Sequence, residues 1–145
     1  MTLGLLRWLR RRRETAIERQ FIRHQSLMLD QFRDTMDASG EPDGLRWDSV
    51  HPADEPQFVQ PKTDGAFNPL DERCQITVVQ PIDVRFAAIE DGGMEDAPGL
   101  HTVRAAVALF HHDGRDWAVG RCLFNIDADA VVDRLRTESN ETGDR

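Results

Sequence analysis

Two apolar-rich runs, residues 102–112 and 115–126, flank Asp113-Gly114 and constrain the fold more than any other feature. An Asp-Gly pair favours the positive φ of a two-residue turn, so these runs predict a β-hairpin. That turn would set His112 opposite Arg115, His111 opposite Asp116, Phe110 opposite Trp117 and Leu109 opposite Ala118. One face then carries Val103, Ala105, Val107, Leu109, Ala118, Gly120, Cys122 and Phe124, with no charge until the tip. The other is mixed: Arg104, Ala106, Ala108, Phe110, Trp117, Val119, Arg121 and Leu123. A one-residue slip would mix the two sets, which supports the register. The charge-free face is expected to pack on a helix, with Gly120 and the alanines leaving room for close approach or a concavity.

The helix is found near the N-terminus. Ile17, Phe21, Met28 and Phe32 share one face over residues 14–37, widened by Ile22, Leu29 and Met36. Ser39-Gly40 followed by Pro42 ends it. His24 falls in this stripe and reads as a half-buried histidine bonded to the sheet. Residues 40–73 are rich in Pro, Gly and Asp, with short strand candidates at 45–50 and 57–60 that suit sheet edges. From Cys74 onward, Ile76, Val78, Ile82, Val84, Phe86 and Ala88 alternate with polar residues. Pro81 within this run implies a bend or bulge in a long edge strand, or two segments. Gly92-Gly93 and Pro98-Gly99 bracket an acidic loop. Asp127 caps a short final helix, and residues 138–145 form a polar tail.

These elements predict one α+β domain over residues 14–137. A long N-terminal helix packs on a four- to five-stranded antiparallel sheet, with a short C-terminal helix. In element order, and in the late strand that bears Trp117, residues 14–126 resemble the cystatin-like and NTF2-like architecture. That resemblance implies a helix held by a curved sheet. Such folds host enzymes and non-enzymes alike, so it implies no activity.

Charge is unevenly placed. Residues 1–33 hold eight Arg (7, 10, 11, 12, 13, 19, 23, 33) against three acids, a net +5; with −8 for the whole chain, the other residues carry −13. The acidic body disfavours nucleic acid as a partner. The basic head is also apolar: Leu5, Leu6, Trp8 and Leu9 lie among Arg7, Arg10, Arg11, Arg12 and Arg13. Residues 1–13 therefore read as an amphipathic interaction segment, suited to an anionic membrane surface or a groove on a protein partner. They could also continue the helix and pack on the domain or a second copy. Apolar residues precede the arginines, the reverse of a secretory signal. Cys74 and Cys122 stand alone, as reduced thiols of a cytoplasmic protein do. The expected location is cytoplasmic, with attachment to the inner face of the membrane as one option.

No catalytic, cofactor-binding or metal-binding set emerges. His111 and His112 are adjacent on a strand and point to opposite faces, so they cannot share an ion. Ser26 and Ser49 lack a local base, and no phosphate-binding glycine loop occurs. The leading expectation is thus a non-enzymatic accessory or adaptor domain tethered through residues 1–13. Two alternatives stand beside it. One is a small-molecule or catalytic pocket between helix and sheet, contacted by Arg85, Arg104 or Arg121. The other is a homodimer through the mixed face of Phe110, Trp117, Val119 and Leu123.

Overall fold

The computed structural model describes residues 2–60, 76–90, 92–95, 100 and 102–143. Cys74, His101 and most of the acidic loop lie outside them. The fold is α+β, in the order α1 (Thr2–Arg23), α2 (Gln25–Ala38), β1 (Leu45–Pro52), β2 (Gln57–Val59), β3 (Ile76–Ala88), β4 (Arg104–His112), β5 (Trp117–Phe124) and α3 (Ala128–Gly143). All strand pairs are antiparallel, in the order β1-β3-β4-β5, with β2 also pairing β3.

The expected single helix is two. It kinks at His24 (φ −107°, ψ 18°), although His24 still donates to the Gln20 carbonyl and accepts from the Met28 amide. The kink lets two short apolar stripes follow a twisted sheet. Phe21 of α1 meets Phe58, Phe110 and Trp117, while Phe32 of α2 meets Trp47 and Phe110. Phe21, Phe32 and Phe110 are fully buried, each worth about 1.5–3 kcal/mol of hydrophobic stabilisation. His24 is exposed rather than half-buried in the stripe. Its neighbour Gln25 reaches the sheet instead, donating from Nε2 to Gln80 Oε1 at 2.8 Å.

β3 is a central strand, not an edge. β2 covers Thr77–Val79 and β1 covers Ile82–Ala88 on one side, while β4 runs along the other. Pro81 sits in the gap between β1 and β2. Its carbonyl accepts from Ala53 on that side, and in an antiparallel strand N and O of one residue point the same way. The missing N–H of Pro81 therefore faces the 53–56 connection rather than the β4 ladder, which is how a central strand tolerates it.

The hairpin forms, but its turn is wider than expected. His112 pairs with Trp117, so residues 113–116 are the loop. Asp113 Oδ1 accepts from the Arg115 and Asp116 amides, both at 2.8 Å, and Gly114 takes φ +102°. An Asp side chain that captures two amides closes a longer turn than Asp-Gly alone would. The register then slips between Ala108 and Phe110, where β5 carries one extra residue about Gly120. A Cβ on Gly120 would stand 2.6 Å from His111 Nε2 and 2.9 Å from the Leu109 carbonyl oxygen.

Along β4 and up to the bulge the helix-facing side is the reverse of the expected one, while beyond the bulge Cys122 and Phe124 lie on the helix side as expected. The helices cover Ala106, Ala108 and Phe110, with Trp117, Val119 and Cys122. The opposite face, with Val107, Leu109 and Leu123, packs on Val131 and Val132 of α3. Helices therefore lie on both faces of the sheet. Phe110, Trp117 and Val119 are core residues rather than a free dimer face, and Leu123 lies on the other side. Asp127 Oδ1 caps α3 through the Ala130 amide, and the helix runs on to Gly143 through most of the expected polar tail.

Candidate functional site: an exposed arm on α1

α1 begins far from the core. Among the described side chains of α1, Ile17 and Phe21 are the buried ones, and those before Glu14 are exposed. Arg13 Nη2 ties this stretch to the body by donating to the Gly114 carbonyl at the hairpin tip, at 2.6 Å. N-terminal to it, Leu5, Trp8 and Leu9 are 57%, 53% and 47% exposed. At about 100° per residue these three share one arc, centred about 150° from Ile17 and Phe21. The arm thus presents an apolar cluster away from the fold.

Arg11, Arg12 and Arg13 are exposed, and the Arg12 guanidinium lies 5.2 Å from the centroid of the Trp8 ring. That contact sets a cation on the face of a Trp8 ring that stays half-exposed. Leu6, Arg7 and Arg10 lie in α1, but their side chains are outside the described residues. The segment continues the helix, as one reading expected, yet Leu5, Trp8 and Leu9 do not pack on the domain.

The hairpin tip beneath the arm is organised by His112. Its Nδ1 accepts from the Gly114 amide at 3.0 Å, and its ring stands edge-on to Trp117 with centroids 4.7 Å apart. Burial lowers its pKa, and Arg13 lowers it further, against the opposing pull of Asp113 and Asp116. His111 faces the other way, its Nδ1 3.1 Å from Thr77 Oγ1, and burial lowers its pKa too. No group of three or more His, Cys, Asp or Glu among the described residues could hold a metal ion. Burial pushes the Cys122 thiol up to about 12, so it stays protonated and unreactive at neutral pH.

The three arginines marked as pocket contacts are not brought together. Arg85 on β3, Arg104 on β4 and Arg121 at the β5 bulge are all exposed, and the space between helices and sheet is filled by the aromatic core. Two open grooves flank the 53–56 connection instead. One, about 660 Å³, lies between Ile22, Gln25 and Phe58; the other, about 570 Å³, is bordered by Ile126 and Asp129. Neither includes Arg85, Arg104 or Arg121.

Among the described residues, no helix is long and apolar enough to cross a membrane. The exposure of Leu5, Trp8 and Leu9 needed coordinates to establish. The signal that marked them is local: leucines and a Trp interleaved with arginines at the head of an acidic chain. No family model matches this chain, and neither a curated protein nor a solved structure matches it.

Proposed function

We propose that this protein is a non-enzymatic accessory or adaptor domain, held at an anionic membrane surface by the N-terminal arm of α1. The observation that carries this reading is the outward cluster of Leu5, Trp8 and Leu9 beside exposed Arg11, Arg12 and Arg13. Leucines and an indole partition into the headgroup boundary, and each nearby cation adds about 1 kcal/mol against anionic lipid. The acidic remainder of the chain is repelled by the same surface, so contact would be made through α1 and the acidic body would stand clear.

Vesicle flotation of the full chain and of a form lacking residues 2–13 tests this. Phosphatidylcholine vesicles with and without phosphatidylserine should separate the two forms. The full chain should float with the anionic vesicles at low salt, less at high salt, and not after truncation. Absence of flotation by either form would discard the membrane reading and leave the arm as a docking segment for another protein.

A further inference from the structure

The outward, acid-free face of α1 does not stop at residue 13. Arg12, Arg19 and Arg23 fall on the same arc as Leu5, Trp8 and Leu9 when the helix is wound at about 100° per residue, and all three arginines are exposed. Ala16, also exposed, lies between them. α1 has seven Arg and only two acids, Glu14 and Glu18. On the same winding both acids fall away from these arginines, beside Phe21 on one edge of the buried stripe, and both are partly buried. The outward face thus carries apolar groups at its tip, cations along the rest and no acid, in a chain whose formal net charge is −8.

The character of this face changes at the kink. α2 holds three Asp and one Arg; Asp30 and Asp34 are exposed, and Arg33 pairs with Asp34 at 3.0 Å. The acid-free face therefore ends at Arg23, where the chain turns.

We infer that the whole outward face of α1, from Leu5 to Arg23, is one docking surface for an anionic lipid bilayer, on which the helix lies along the membrane plane. This rests on the tether proposed above and adds Arg19 and Arg23 to it. An arm that dipped only its first turns would leave both arginines well above the headgroups. A helix about 33 Å long lying flat brings them to the phosphate level together with Arg12. Leu5, Trp8 and Leu9 then anchor one end. A bilayer, rather than another polyanion, suits the apolar end of the face.

The test is a binding titration of the full-length protein against phosphatidylcholine vesicles with and without phosphatidylserine. The variants are Arg19→Gln/Arg23→Gln, Trp8→Glu, and Arg46→Gln as an exposed control on β1. All replace exposed side chains, and far-UV circular dichroism checks that each is folded. The double Arg variant should bind anionic vesicles about thirty-fold more weakly, from two cations at about 1 kcal/mol each, while Arg46→Gln binds as the parent does. Equal binding by the double variant and the parent, with Trp8→Glu still defective, would overturn the flat orientation and leave the tether standing. If the parent ignores anionic vesicles, or Trp8→Glu binds normally, the tether itself fails. Binding to duplex DNA as tight as to vesicles at the same salt, and indifferent to Trp8→Glu, would also overturn the inference and mark a general polyanion site.

Discussion

Gln80 is a fully buried polar side chain on the helix-facing side of β3, between Val78 and Ile82. Its Nε2 donates to the Asp54 carbonyl at 2.9 Å and to the Pro81 carbonyl at 2.7 Å, and its Oε1 accepts from Gln25 Nε2 at 2.8 Å. It thereby bridges the interruption that Pro81 makes between β1 and β2, and it ties the start of α2 to the sheet. Gln80→Met keeps similar bulk and removes all three bonds. Pro81 O retains Ala53 as a donor, and the exposed 53–55 loop lets water replace the bond to Asp54 O. The half-buried Gln25 amide is left with the main deficit. A buried polar group without a partner costs about 1–3 kcal/mol, so Gln80→Met should destabilise the fold by about 2 kcal/mol. With a urea slope of about 2 kcal/mol per molar, the midpoint should fall by about 1 M. Removing Gln25 as well, as Gln25→Leu, should recover about 1 kcal/mol of that loss, read as the coupling in a double-mutant cycle. A Gln80→Met variant within about 0.5 kcal/mol of the parent, or a cycle with no coupling, would refute the bridging role.

Gly120→Ala should destabilise by about 1–3 kcal/mol, because the new methyl would meet the Leu109 carbonyl oxygen and the His111 ring and the backbone contact cannot yield freely; thermal unfolding measures it, and an unchanged midpoint would show that the bulge accepts a side chain. Stability should also fall on acidification below the ordinary histidine pKa. His111 and His112 have lowered pKa values in the fold, so in that window the unfolded chain binds more protons than the native one and protonation favours unfolding. His112→Asn, whose side-chain oxygen can accept from the Gly114 amide in place of Nδ1, should flatten part of the slope in urea midpoints between about pH 7 and 5; an unchanged slope would acquit His112.

Much of this architecture could be read from residue patterns. The apolar stripe of Ile17, Phe21, Met28 and Phe32 placed the helical layer, and period-two alternation from Ile76 placed β3. Gly40, at φ +77°, and Asp127 end and begin helices as their chemistry requires. What failed did so for local reasons. Asp113 turned a two-residue turn into a four-residue loop through its own carboxylate, and the extra residue near Gly120 put Cys122 on the same side as Val119. Helices cover both faces of the sheet, so the lack of charge on the Leu109 face did not mark it as the side that meets α1 and α2, and the Phe110 face, offered as one possible dimer surface, carries the main core. Pro81 argued for an edge because the gap between β1 and β2 depends on how distant segments pair. The kink at His24 has no Gly or Pro to announce it. Residues 1–13 stood out by composition, but the continuation of their face to Arg19 and Arg23 depends on a helix that is continuous from Thr2 to Arg23 and on acids that are partly buried while the arginines are exposed.

The central claim is that Trp8 enters the lipid boundary, and quenching by bromine-labelled acyl chains measures this directly. The full-length protein and Trp8→Phe would be mixed with phosphatidylserine-containing vesicles, with and without the label. Trp47 is buried and Trp117 half-buried in the domain core, so neither should reach the acyl chains. The account predicts quenching of the parent that salt reduces and Trp8→Phe abolishes. Quenching that is absent, or that survives unchanged in Trp8→Phe, would contradict it.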